Sequence, residues 1–219
     1  MNVEWMRRSQ RAAAAAVLAA VSAGAVAMPG ALSSADAATL LQGPELGDAL
    51  RQGGKVIFIR HATTEEDYAD QIKAVMGNCA TQRTLSEAGW HEAQNIGAAI
   101  DWLDIPVGEV ISSEYCRAWQ TASLAFGRYE KNPSLNFQPA EEYSEEQTKA
   151  MREAMSPLLA ARPADGTNTI LVGHDDPFEA ATGIYPEPMG AAYVIEPDGS
   201  GGFKVVGSIR PDAWHTLAE

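Results

Sequence analysis

Two short β-branched runs, Lys55 to Ile59 (KVIFI) and Thr169 to Val172 (TILV), constrain this chain more than any other feature. Their three or four consecutive apolar residues, without polar alternation, are too short for a helix. They suit strands buried on both faces, the situation at the centre of a parallel sheet. Parallel neighbours need crossover connections, so helices must lie between them. The intervening sequence supplies them. Leu85, Ala88, Ala93, Ile96, Ile100 and Leu103 recur at helical spacing, with Ser86 placed to cap the start and Glu87 to suit the dipole. Glu109 to Ser112 (EVIS) reads as the next strand, and Ser113 as the cap of a helix running to about Phe126. Leu135 to Gln138 predicts a further strand, and Ser144 with Gln147 a capping box that opens a helix to about Ala161. Asp176-Pro177 has the cap and first-turn pattern of one more helix. Ala192 to Glu196 and Phe203 to Ile209 flank a Gly-rich turn and predict a closing hairpin. The expected fold is a single α/β domain: a three-layer sandwich with a mostly parallel central sheet, helices on both faces and an antiparallel edge hairpin.

Ligands of open α/β sheets bind beyond the carboxyl ends of the strands. The first run leads into Arg60-His61, the EVIS strand into Ser112-Ser113 with Arg117 one turn later, and the TILV strand into Gly173-His174. A lone histidine after a strand is more often a satisfied structural residue than a catalyst; the recurrence at one rim of one sheet is the signal. Arg117 falls in the first turn of its helix, where a cation opposes the dipole at a cost of about 0.3–1 kcal/mol that a bound anion would reverse. The plain alternative is a local ion pair with Glu114, which contributes little if exposed. Two guanidiniums favour an oxyanion held by bidentate hydrogen bonds, so the charges point to phosphate. A neutral imidazole between them can attack phosphorus and carry the phosphoryl group, splitting one hard displacement into two. The cations would stabilise charge on the equatorial oxygens. That chemistry requires no metal and no other cofactor.

Four segments, VIFIRHATT (56–64), QRTLSEAGWHEAQNIGAAI (82–100), VISSEYCRAWQTASLAFG (110–127) and TILVGHDDPF (169–178), resemble the histidine phosphatase superfamily, also called phosphoglycerate-mutase-like, in order and spacing. The resemblance extends from Val56 to Arg210. It implies that His61 is the phosphorylated nucleophile, that Arg60 and Arg117 bind phosphate with it, and that His174 completes the pocket. It also implies the three-layer sandwich. Ala62 stands where the family usually has Gly. Asp67 falls where mutase-like members carry Asn and would repel a phosphate, so the loop from Thr63 to Thr81 is expected to set specificity. His174-Asp175 is similar to the pair of the acid-phosphatase and phytase branch, while the other segments look like the mutase branch. Mutase-like relatives take their general acid from a Glu after the strand that follows the second Arg. Glu141 and Glu142 occupy that region and Asp175 is the competitor; Glu142 is the favoured acid, with a solvated acidic loop as its plain alternative.

The start of the chain reads as an address. Arg7, Arg8 and Arg11 precede an apolar run from Ala12 to Ala27, and Ala35-Asp36-Ala37 offers small residues at the two positions a signal peptidase reads. Residues 1–37 are therefore expected to be a signal peptide, and residues 38–219 one exported domain, periplasmic or extracellular. The alanine-rich run falls short of the roughly 20 residues that span a membrane, so no membrane insertion is expected after its removal. The Arg7-Arg8 pair leaves the export route open. Export also opens a disulfide between Cys79 and Cys116, with two buried thiols as the other reading. Neither cysteine has an Arg six positions later, which excludes a cysteine phosphatase.

Lys plus Arg total 16 against 29 Asp plus Glu, a net charge of -13, so the far field repels phosphate backbones and nucleic acid is not an expected partner. The expected activity is a metal-independent phosphatase that hydrolyses a small phosphomonoester through a phosphohistidine intermediate. Two other readings stay open. One is a catalytically inactive phosphate- or partner-binding domain of the same fold. The other is a phosphoglycerate-mutase-like phosphotransferase, against which export weighs. The motifs specify neither the substrate nor the oligomeric state.

Overall fold

The computed structural model describes residues 40–65, 74–140 and 142–218. The expected signal peptide, Asp67 and Glu141 lie outside the described residues. The elements follow in the order α1 (Gly43–Arg51), β1 (Val56–Arg60), α2 (Glu87–Trp102), β2 (Val107–Ser112), α3 (Cys116–Phe126), β3 (Glu130–Lys131), α4 (Glu145–Ala160), β4 (Asn168–Gly173), α5 (Asp175–Thr182), β5 (Ala192–Pro197) and β6 (Phe203–Ile209). Six strands form one sheet in the order β3-β2-β4-β1-β5-β6. The pairs β1–β4, β2–β4 and β2–β3 are parallel, whereas β1–β5 and β5–β6 are antiparallel. This is the expected α/β sandwich with its edge hairpin.

Alternation along β1 separates the two cores. Ile57 and Ile59 pack with Ile96 and Ile100 of α2, Ala118 and Ala122 of α3, and Leu46 and Leu50 of α1. Val56 and Phe58 face the other way, against Met155 and Leu159 of α4 and Phe178 of α5. Phe58 and Phe178 stack with ring centroids 4.2 Å apart. Each fully buried side chain of this size contributes roughly 1.5–3 kcal/mol. Strands buried on both faces explain why the two runs lack polar alternation.

Close helix packing depends on two glycines. A Cβ on Gly97 would collide with the carbonyl of Ala125 in α3, and one on Gly89 with the carbonyl of Thr63. At its start α2 grips that same carbonyl: Ser86 donates to Thr63 O from both its N–H (3.1 Å) and its Oγ (3.2 Å). Ser86 Oγ also accepts from Gly89 N–H, the predicted cap.

Local signals misplaced four details. Leu135 to Gln138 is not a strand; Pro133–Leu135 is a 3-10 turn capped by Asn132, and the edge strand is Glu130–Lys131. Pro133 has no N–H to give a ladder, and the Asn132 side chain draws the chain into the turn. Ser113 does not cap α3. That helix begins at Cys116 with Tyr115 in the cap position, and Ser113 Oγ accepts from Tyr115 N–H. Nor is Asp176 a cap, because α5 starts at Asp175 and His174 holds the cap position. Finally, α1 went unread; its Leu46 and Leu50 are buried with Trp214 and Leu217 from the far end of the chain. The box of Ser144 and Gln147 on α4 is formed as expected.

Candidate active site

The register brings three strand ends level. Arg60 at the end of β1 pairs with Gly173 at the end of β4, and Ser112 at the end of β2 pairs with Val172. His61 N–H then donates to Gly173 O at 3.0 Å, and Ser113 N–H to Val172 O at 2.9 Å. His61, Ser113 and His174 therefore leave the sheet side by side, as the strand-end argument expects.

His61 is fully buried, and its imidazole is held at both nitrogens. Arg117 Nε–H donates to Nε2 at 3.0 Å, so Nε2 is the lone-pair nitrogen. The ring proton is then on Nδ1, which reaches Ala62 O at 2.9 Å. Ala62, in place of the usual Gly, packs against Leu85 and Ala93. Its N–H donates to Thr121 Oγ1 of α3 at 3.0 Å. Thr63 is clamped by Glu92 of α2, which accepts from its N–H and its hydroxyl. The segment after His61 is thus fixed by two helices.

His174 lies edge-on to His61, ring centroids 5.4 Å apart, and is walled by Tyr115 and Phe137. Its Nε2 meets Ser113 Oγ at 2.8 Å. Ser113 Oγ–H donates to Asn136 Oδ1, and Asn136 is oriented by its own donation to Glu114 Oε2. Nε2 of His174 is therefore the protonated nitrogen, and its Nδ1 is buried with no hydrogen-bond partner among the described residues. Glu114 serves this network. The Arg117 guanidinium lies over the rings of Phe137 and Tyr115, at 5.1 and 5.3 Å.

Burial, and next the Arg117 charge, hold the pKa of both imidazoles well below the ordinary histidine value. Arg60 and Arg83 add to that field at each ring. Arg83 is a further cation whose charge reaches both rings and to which the sequence reading gives no role. It lies in the loop before α2, away from the strand ends, so no local pattern marks it.

The structure brings His61, Arg117 and His174 together at one rim. Arg60 sits beside them but is committed elsewhere: Nη1 donates to Pro186 O at 2.9 Å and Nη2 pairs with Asp175 at 2.5 Å. Tyr185 OH donates to the same Asp175 oxygen. The Arg60 Nε is buried and has no partner among the described residues. Beyond Arg60 opens a cavity of about 470 Å³ lined also by Tyr185, Glu187, Pro188, Met189 and Arg210. Glu142 is exposed and makes no hydrogen bond or ion pair among the described residues. Asp176 is half-buried and accepts from Tyr143 OH at 2.9 Å; burial, and then the charge of Asp175, raises its pKa. His91 and His215 are exposed and away from this cluster's bonds. Cys79 and Cys116 form a disulfide, Cα atoms 5.7 Å apart, which resolves their pairing. Among the described residues, no helix is long and apolar enough to cross a membrane.

Solved structures of the histidine phosphatase class have this fold. The protein histidine phosphatase SixA, complexed with tungstate, is 17% identical, with 72% of this chain and 97% of that one covered and a TM-score of 0.51. A candidate alpha-ribazole-5'-P phosphatase from Escherichia coli K-12 is 14% identical, covering 74% of this chain and 99% of that one, TM-score 0.54. A candidate phosphohistidine phosphatase SixA from Nakamurella multipartitia is 16% identical, covering 73% and 97%, TM-score 0.51. At these identities the likeness defines the fold. No protein-family model matches the sequence, and no curated protein matches it.

Proposed function

We propose that this protein is an exported, metal-independent phosphomonoesterase that works through a phosphohistidine on His61. The observation that carries the reading is the fixed tautomer of His61: Nδ1 is spent on Ala62 O, while the Nε2 lone pair points at a guanidinium. A phosphoryl group bound to Arg117, Arg83 and the remaining Nε–H of Arg60 would replace that contact and meet Nε2 directly. The tungstate bound by a fold relative is an oxyanion of the same shape and charge.

In the first step the Nε2 lone pair forms the bond to phosphorus as the ester P–O bond breaks. The electron pair leaves on the ester oxygen, which takes a proton from Glu142. Glu142 is preferred because Asp175 already accepts from Arg60 and Tyr185. Ala62 O stabilises the positive charge that His61 acquires. His174 neutral offers a lone pair at Nδ1; the bound dianion favours its protonated form, whose Nδ1–H then donates to an equatorial oxygen. Water attacks the phosphohistidine and gives a proton to the Glu142 carboxylate as the P–N bond breaks, its electron pair returning to Nε2; phosphate is released, and the imidazole and the acid are both restored.

A panel of phosphorylated metabolites offered to the leaderless protein in the presence of chelator tests this reading. Turnover by wild type and its loss in His61→Ala are expected. Undiminished turnover by His61→Ala would remove the proposed nucleophile.

A further inference from the structure

The segment that carries Arg83 is pinned at both ends to the elements that build the anion site. Gln82 is fully buried; its Oε1 accepts the Cys116 N–H at 2.8 Å and its Nε2 donates to Val75 O at 3.0 Å. Three residues on, Leu85 bridges to Thr64, and Thr84 O accepts from Glu65 N–H at 3.1 Å. Residues 82–85 therefore run from the first residue of α3 to the segment that leaves His61. Arg83 is carried along that path, and Cys116 immediately precedes Arg117.

Upstream, the turn Cys79–Thr81 has no buried residue of its own. An apolar core does not hold it. It is held by the bond from Cys79 to Cys116 and by local hydrogen bonds: the Asn78 side chain accepts from Ala80 N–H, and Thr81 Oγ1 accepts from Val75 N–H and donates to Asn78 O; the disulfide is the one covalent tie to α3. A cross-link of sequence separation 37 restricts the open alternatives of such a coreless segment.

We propose that Gln82 and the Cys79–Cys116 disulfide are positioning residues that set Arg83 in the phosphate site, so that reduction of the disulfide weakens phosphate binding. The proposal rests on reading the His61 cluster as an anion site. Reduction consumes one equivalent of a dithiol: two electrons and two protons pass to the S–S bond, giving two thiols, and the dithiol becomes a disulfide. Arg117 stays on its helix in the reduced protein, so binding falls without vanishing.

The test is calorimetric titration of inorganic phosphate into four forms: oxidised and reduced wild type, and oxidised and reduced Arg83→Ala. Oxidised wild type should bind about tenfold more tightly than reduced wild type, a difference of about 1.4 kcal/mol. Reduction should change the affinity of Arg83→Ala less than about twofold, because the residue being positioned is gone. Oxidised Gln82→Leu should lose affinity as reduced wild type does, a result that does not depend on handling thiols. Near-ultraviolet circular dichroism identifies folded samples. Equal losses on reduction in wild type and Arg83→Ala would overturn the proposal, since the bond would then act on general stability. So would unchanged affinity in reduced wild type. Failure of oxidised wild type to bind phosphate at all would instead remove the anion-site reading, and the proposal with it.

Discussion

Arg117 places its Nε–H on His61 Nε2 at 3.0 Å, so in the free protein a cation occupies the nitrogen proposed to attack phosphorus. The contact keeps the imidazole neutral and aimed, and in the proposed mechanism it passes to the phosphoryl group when substrate binds. A lysine keeps the charge but not the planar set of donors that can serve both partners. Arg117→Lys is expected to lower kcat/KM by about 10²-fold and Arg117→Ala by about 10³-fold, the range seen when a transition-state donor is removed. Steady-state kinetics on an aryl phosphate check this; equal activity of the lysine variant would show that charge alone suffices.

Acid should destabilise the phosphate-free protein through its two buried imidazoles. Their folded pKa values lie well below the ordinary one, burial being the first cause and Arg117 the second. The unfolded chain takes up these protons near its ordinary value of about 6.5, whereas the folded chain resists. The unfolded state binds more protons in that window, so stability is complete above about pH 6.5 and is lost as pH falls. The ceiling is about 1.4 kcal/mol per histidine per pH unit. Thermal unfolding from pH 8 to 5 should show a smaller acid loss in His174→Gln than in wild type. Parallel profiles would mean that His174 charges freely in the folded state.

Asp175 holds Arg60, a guanidinium proposed to bind phosphate, through a contact that also engages Tyr185. Replacing it by Asn removes a negative charge beside the site and releases a guanidinium. Asp175→Asn is expected to bind inorganic phosphate about threefold to tenfold more tightly, a gain of about 1 kcal/mol. Its kcat should stay within about tenfold of wild type. A collapse of kcat on esters with poor leaving groups would make Asp175, and not Glu142, the proton donor.

Gly89 should be intolerant of a side chain although it sits in a helix. Ala normally gains about 1 kcal/mol over Gly there. At this position its Cβ would strike the Thr63 carbonyl, a backbone atom that Ser86 and Glu92 hold in place. Gly89→Ala is expected to destabilise by about 1–3 kcal/mol, as overpacking does, and to lower activity by shifting the segment after His61. Denaturant unfolding and a kinetic assay read the two effects; a stabilised variant would show that the Thr63 loop yields freely.

Much of the molecule was legible because its signals are local. Unalternated apolar runs mark β1 and β4, and helical periodicity marks α2. The strand-end rule then brings His61, Arg117 and His174 to one rim without any contact being known. The rest depends on partners far away in the chain. Gln82, beside Arg83, bonds Cys116 across a separation of 34 residues that no window on the sequence reveals. Arg60 is diverted by Asp175 and Pro186 from beyond β4. Ser113 looks like a helix cap but spends its hydroxyl on Asn136 and His174. The first helix, α1, has only Leu46 and Leu50 as deep anchors, and they become a core only when Trp214 and Leu217 fold back on them.

Everything in the account turns on a covalent bond between phosphorus and one ring nitrogen. Rapid quench of the protein lacking residues 1–37 with a phosphomonoester, kept at alkaline pH, followed by intact-mass and fragment analysis, looks for that bond directly. One added phosphoryl group, mapped to His61 and absent from His61→Ala, is expected. Turnover with no adduct at His61, or an adduct that persists in His61→Ala, would contradict it.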